Sequence, residues 1–81
     1  MIFDRVKDVI QKEIQVEESK ITPESSFSEL GADSLDIFRI VIELEELFEI
    51  QIEETDNLVI VQDIVECVKQ KIENQKGYKV I

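Results

Sequence analysis

Apolar side chains recur at helical spacing in three separate segments of this 81-residue chain. Residues 2–15 form the first segment, and the others run from Ser34 to Phe48 and from Ile60 to Ile72. An amphipathic helix repeats about every 3.6 residues, so each segment predicts a helix with an apolar face. A chain of this length has room for a single core. The spacing therefore predicts an all-α fold, a small bundle of three main helices.

The outer two helices are expected to supply much of the core. On the first helix the apolar face comprises Ile2, Phe3, Val6, Val9, Ile10 and Ile14. On the third helix it comprises Val61, Ile64, Val65, Val68 and Ile72. One additional short helix is expected near residues 54–57, in the connection that precedes the third helix.

A long polar loop, residues 17–32, connects the first helix to the second. Pro23 prevents the first helix from continuing through it, and Gly31 permits a turn into the second helix. Loops of this length in small domains are usually functional or are packed by their own side chains. The side chains expected to anchor the loop are Ile21, Phe27 and Leu30.

The chain divides into one helical domain, residues 1–75, and a flexible tail, residues 76–81, because Gly77 follows the last helical apolar residue. No apolar run is long enough for a membrane span. The N-terminus mixes charges with apolar residues and has no small-residue cleavage site, so we expect no signal peptide. With Cys67 as the single cysteine, no internal disulfide can form, and we expect a cytoplasmic protein.

The charge of the chain is concentrated in its middle. The net charge is −10 overall, but residues 21–68 hold thirteen acids and one base, Arg39, a net charge of −12. Such a surface repels nucleic acid and attracts proteins with basic patches. An acidic surface that serves solubility alone is the other interpretation, and charge by itself favours it.

The second helix has apolar side chains on two opposite faces. At 100° per residue, the expected core face comprises Ile37, Ile40, Val41, Leu44, Leu47 and Phe48. Leu35, Phe38 and Ile42 fall on the other side, at i, i+3 and i+7. Because a small domain has one core, a second apolar strip with charges around it predicts a partner-binding surface. Scattered exposed apolar residues are the alternative.

Ser34 stands at the start of the second helix. To act as a catalytic nucleophile, its hydroxyl would need a base nearby. The chain has no histidine, so it cannot form a Ser-His-Asp triad. Composition leaves a Ser–Lys dyad open, but no lysine lies within ten residues of Ser34 in the sequence. The neighbouring carboxylates of Asp33 and Asp36 are too acidic to deprotonate an alcohol. The sequence also lacks a calcium-loop pattern and a histidine–cysteine metal motif. We therefore expect no enzyme and no metal site.

Asp33 is the expected N-cap of the second helix, with Asp36 three residues later as a weaker analogue of the capping-box acid. Ser34 could simply occupy the first turn, where serine is common. An exposed hydroxyl at a helix N-terminus is also a suitable acceptor for a phosphate ester, because free N–H groups and the helix dipole favour an anion there.

The stretch "LGADSLD", residues 30–36, resembles the attachment motif of acyl carrier proteins. In that family the serine of D-S-L carries 4′-phosphopantetheine, whose thiol holds acyl groups as thioesters. "ITPESSFSELGADSLD" also resembles the family's long loop, "IVIELEELFEIQI" its acidic second helix and "VQDIVECVKQKI" its last helix. The resemblance covers about residues 3–73, and its motif is highly specific within this topology.

The resemblance implies that Ser34 is modified with phosphopantetheine from coenzyme A by a phosphopantetheinyl transferase. The implied partners are that transferase and acyl-transferring and chain-elongating enzymes with basic patches, and we expect a monomer that binds no nucleic acid and no membrane. The resemblance also implies that a short or medium acyl chain enters between the helices, into the core lined by Ile37, Val41 and Leu58. The implied and expected docking residues are Asp33, Leu35, Asp36, Phe38, Arg39, Ile42, Glu45 and Glu46.

Three features depart from the family pattern and favour a specialised carrier. Arg39 lies where an acid is usual, and we expect it either to pair with Glu43 or Asp36 or to change which partners dock. Phe38 is larger than the usual aliphatic residue. The segment before the third helix is about two residues short and has Val59 and Ile60 where a threonine cap is usual. The missing cap would cost about 1 kcal/mol unless Asn57 or another group substitutes.

Two other functions remain open on the residues alone. A carrier of aminoacyl or peptidyl cargo would use the same chemistry, although such carriers more often have glycine directly before the serine. An acidic helical adaptor without a prosthetic group would explain the charge and the apolar strip.

Overall fold

The computed structural model describes the backbone of residues 2–53, 55 and 57–80, with side chains up to residue 74. Over these described residues the chain forms three α-helices, α1 (Ile2–Ile14), α2 (Ser34–Phe48) and α3 (Val61–Val80). One turn of 3₁₀ helix, Glu18–Lys20, lies in the loop between α1 and α2. The predicted all-α bundle is confirmed. Among the described residues, no helix is long and apolar enough to cross a membrane.

The predicted boundaries hold for α1 and α2, but the end of α3 was predicted too early. α3 continues to Val80 and includes Gly77. A glycine inside a helix costs only about 1 kcal/mol relative to alanine, so it need not end one. The tail at residues 76–81 stays a prediction. The short helix expected near 54–57 also stays a prediction, since residues 54 and 56 lie outside the described residues.

The core forms where the apolar faces of the three helices meet. Its fully buried side chains include Ile10 of α1, Leu44 of α2 and Ile64 of α3, and the predicted faces of α1 and α3 are confirmed. On α2 the prediction was wrong for Leu47, whose surface is 50% exposed. On the helical wheel Leu47 lies at one edge of the expected core face, beyond the part that the other helices cover.

The long loop is held against the start of α3 by side chains and by backbone hydrogen bonds. Ile21 and Phe27 are buried and Leu30 packs against the core, as predicted. The Phe27 N–H donates to the Val59 carbonyl at 3.0 Å. Bonds of this kind fix the loop that leads directly into α2.

The N-terminus of α3 is capped by carbonyls of the long loop and by an acid in its own first turn. The first-turn N–H groups of Val61 and Gln62 donate to the loop carbonyls of Ser25 and Pro23, each at 2.9 Å. The Asp63 carboxylate accepts from two further N–H groups, those of residues 59 and 60, also at 2.9 Å. Other groups therefore replace the missing threonine, and we expect no loss of stability at this helix start.

Candidate functional site

Ser34 is the first residue of α2, and the end of the long loop places it there. Gly31 has φ +83°, a left-handed conformation that glycine adopts without the penalty of a Cβ. The Ala32 N–H donates back to the Phe27 carbonyl at 2.9 Å, which ties this turn to the loop's buried aromatic anchor. The Ser34 side chain is exposed.

Asp33 and Asp36 form a reciprocal capping box around Ser34. The Asp36 N–H donates to Asp33 Oδ1 at 2.9 Å, and the Asp33 N–H donates to Asp36 Oδ2 at 3.2 Å. The predicted capping roles of both acids are confirmed. Within the described residues, no hydrogen bond engages the Ser34 hydroxyl, so this hydroxyl is not a capping group.

Among the described residues, two grooves open beside Ser34. The larger has a volume of about 690 Å³ and is lined by Ser34, Leu35, Ile37, Phe38, Thr55 and Leu58. The smaller, of about 430 Å³, shares Ser34, Ile37 and Leu58 with it. Sequence reasoning missed Thr55, because it belongs to a segment without periodic spacing. The grooves give an extended group on Ser34 a partly apolar surface to lie against.

The second apolar strip of α2, formed by Leu35, Phe38 and Ile42, is exposed as predicted. The exposed fractions are 55%, 55% and 39%. We call these three side chains the exposed strip. It begins one residue after Ser34 and continues for two turns, so a protein that contacts the strip also lies close to the hydroxyl.

The two glutamates expected beside the exposed strip differ in their surroundings. The Glu46 side chain is exposed, whereas Glu45 is half-buried. The Glu45 carboxylate accepts from the Ile52 N–H at 2.8 Å, and therefore tethers the segment that follows α2. A substitution of Glu46 therefore tests partner contacts more directly than a substitution of Glu45, which would also disturb the segment after α2.

Arg39 is exposed, and the predicted ion pair with Glu43 or Asp36 is wrong. The Glu43 carboxylate lies 3.1 Å from Lys12 Nζ of α1. The Asp36 carboxylate is held in the capping box. Within the described part of the chain, no salt bridge involves Arg39.

Comparison with known proteins shows the family. Residues 4–68 match the family model described as the phosphopantetheine attachment site. The chain belongs to this family. Acyl carrier proteins of Streptococcus pneumoniae serotype 4 and Streptococcus pyogenes serotype M1 are 40% identical to it over 70 residues, which is 86% of this chain and 95% of each relative. One of Streptococcus thermophilus is 39% identical over the same length.

The family match together with the 40% identity to acyl carrier proteins makes the chain an acyl carrier, which works with biosynthetic enzymes and is not itself an enzyme. Its prosthetic group is a covalent 4′-phosphopantetheine. The residues around Ser34 fit such a group. The exposed hydroxyl can form the ester, the α2 N-terminus favours the phosphate charge, and the two grooves leave room for an extended arm.

Proposed function

We propose that Ser34 Oγ is the attachment point of the phosphopantetheine arm. One observation carries the proposal: the Ser34 hydroxyl is exposed at the N-terminus of α2, where two grooves meet. The arm supplies a terminal thiol that holds acyl groups as thioesters. The domain presents this cargo to successive enzymes and raises its effective concentration at each active site.

The modification needs a separate transferase, because no side chain among the described residues hydrogen-bonds the Ser34 hydroxyl as a base would. Ser34 Oγ forms a bond to the phosphorus beside the pantetheine portion of coenzyme A, and adenosine 3′,5′-bisphosphate leaves. The hydroxyl proton must go to a base. No histidine is present, and the Asp33 and Asp36 carboxylates face backbone N–H groups. A phosphopantetheinyl transferase therefore supplies the base, and the capping box holds Ser34 at the start of α2.

The larger groove is proposed to shelter the arm and its acyl cargo. Leu35, Ile37, Phe38 and Leu58 give it apolar walls, and Thr55 offers one hydroxyl. Partial burial of an apolar chain against these walls would stabilise the loaded carrier by about 25 cal/mol per Å² of apolar surface covered. The polar groups of the arm remain beside Ser34 and solvent.

Partner enzymes are proposed to dock on α2. The exposed strip supplies apolar contact, while the acids beside it, Glu46 among them, attract enzymes with basic patches. Those enzymes build or transfer acyl chains in fatty acid or polyketide-type synthesis. Cytoplasmic localisation is part of this proposal, and it is supported by the single cysteine, which leaves no internal disulfide to form.

The attachment itself is tested by mass spectrometry. We expect the chain, incubated with coenzyme A and a broad-specificity phosphopantetheinyl transferase, to gain the mass of one phosphopantetheine group. Fragmentation of the product should locate that mass on Ser34. An unchanged mass, or an adduct located on another residue, would contradict the proposed site.

Reversing the charge of Glu46 tests the docking surface. The Glu46→Lys variant should raise the KM of the transferase reaction about threefold to tenfold at low ionic strength, because rim charges steer association. Added salt should reduce the difference in KM between this variant and the original chain. The matched control is Glu73→Lys on α3, an exposed glutamate whose reversal changes the net charge equally. If both variants raise KM alike, the effect belongs to net charge and α2 is not the docking surface.

A further inference from the structure

Arg39 is the single positive side chain within the most acidic part of the molecule. Residues 21–68 contain thirteen acids and this one base. Arg39 lies on the exposed side of α2, four residues after Leu35 and three before Ile42. Side chains at these spacings are neighbours on a helix surface, so any protein that covers the exposed strip also covers Arg39.

The acids closest to Arg39 along α2 are already engaged. Lys12 of α1 offsets the charge of Glu43, and the Asp33 N–H donates to Asp36. Within the described residues, Arg39 therefore keeps its five donors for solvent or for a partner. A guanidinium matches a carboxylate with two parallel hydrogen bonds, and such pairs are the stronger kind.

We propose that Arg39 selects the enzymes that this carrier serves, through a carboxylate on the partner's docking surface. The inference rests on the docking part of the proposed function. Arg39 and Glu46 are seven residues apart on nearly the same line of α2, which is about 10 Å at 1.5 Å per residue. The partner surface thus carries an acidic side chain opposite Arg39, a basic one opposite Glu46, and apolar contacts between them.

This charge pattern distinguishes partners that an all-acidic helix would treat alike. An enzyme whose docking patch is uniformly basic faces Arg39 with a like charge, and like charges across an interface oppose binding. An enzyme with one carboxylate at that position gains a pair instead. Attraction to one class and repulsion of another together produce specificity.

The test measures binding of the Ser34→Ala chain to purified enzymes, so it does not depend on the prosthetic group. The probes are a phosphopantetheinyl transferase, an acyltransferase and a condensing enzyme from the organism that makes this chain. Arg39→Glu is compared with Lys69→Glu, an exposed lysine of α3 whose reversal changes the net charge equally. Arg39→Gln is the neutral variant. Helical circular dichroism and melting curves check the fold of each variant.

For at least one of these enzymes we expect Arg39→Glu to raise the Kd about tenfold or more. The neutral variant Arg39→Gln should raise the Kd about threefold, and the control Lys69→Glu should change it less than twofold. Reversing the facing carboxylate of that enzyme to lysine should restore binding to Arg39→Glu. The inference is overturned if none of the three enzymes binds, if Arg39→Glu and Lys69→Glu act alike, or if Arg39→Glu tightens binding throughout. Failure of Ser34 modification would overturn the attachment site alone.

Discussion

The Ser34→Ala variant should take up no phosphopantetheine, while its free energy of unfolding stays within about 0.5 kcal/mol of the original chain. The attachment requires an oxygen that alanine lacks. The fold does not require it, because the hydroxyl has no hydrogen bond within the described residues and alanine is the better helix former. Intact mass after treatment with coenzyme A and the transferase measures the first effect, and urea denaturation measures the second.

Ser28→Ala provides the matched control for that experiment. Ser28 is an exposed serine of the same loop and lines the smaller groove, so its loss changes the neighbourhood of Ser34 without removing the proposed acceptor. It should accept one phosphopantetheine group like the original chain. A phosphopantetheine adduct on the Ser34→Ala variant would mean that the group attaches to another residue. A large loss of stability in that variant would instead assign Ser34 a structural role.

The features of α2 that the sequence predicts are those that depend on α2 alone. The capping box links Asp33 and Asp36 within one turn, and the exposed strip follows from helical spacing. Leu47 shows the limit of this reasoning. A helical wheel gives the direction of a side chain, but whether that direction is covered depends on where the neighbouring helices lie.

Contacts between distant segments could not be predicted, because no local pattern encodes them. The Glu45 carboxylate reaches the Ile52 N–H, so a residue expected to serve docking also has a structural role. Similarly, Lys12 of α1 pairs with Glu43 and removes the partner that the i+4 spacing had suggested for Arg39. In both cases a group outside α2 contacts a glutamate of α2, and the sequence of α2 alone does not show where that group lies.

Phe27→Ala should destabilise the domain by about 3–5 kcal/mol, which is a large share of the roughly 4–12 kcal/mol expected for a chain of this length. The Phe27 side chain is 2% exposed, and its backbone bonds to both Val59 and Ala32. Its loss leaves a cavity where the long loop meets α3. The melting temperature should fall by at least about 12 °C, as followed by circular dichroism.

Phe38→Ala should leave the stability of the domain nearly unchanged and should weaken its reaction with the transferase. Phe38 is 55% exposed, so Phe38→Ala removes the same atoms from the surface and should cost less than about 1 kcal/mol. It should instead raise the KM for the transferase, because the exposed strip loses its largest side chain. Equal losses of stability at the two positions would mean that Phe27 does not anchor the loop. If only Phe27→Ala raised the KM, Ser34 presentation would depend on the loop and not on the exposed strip.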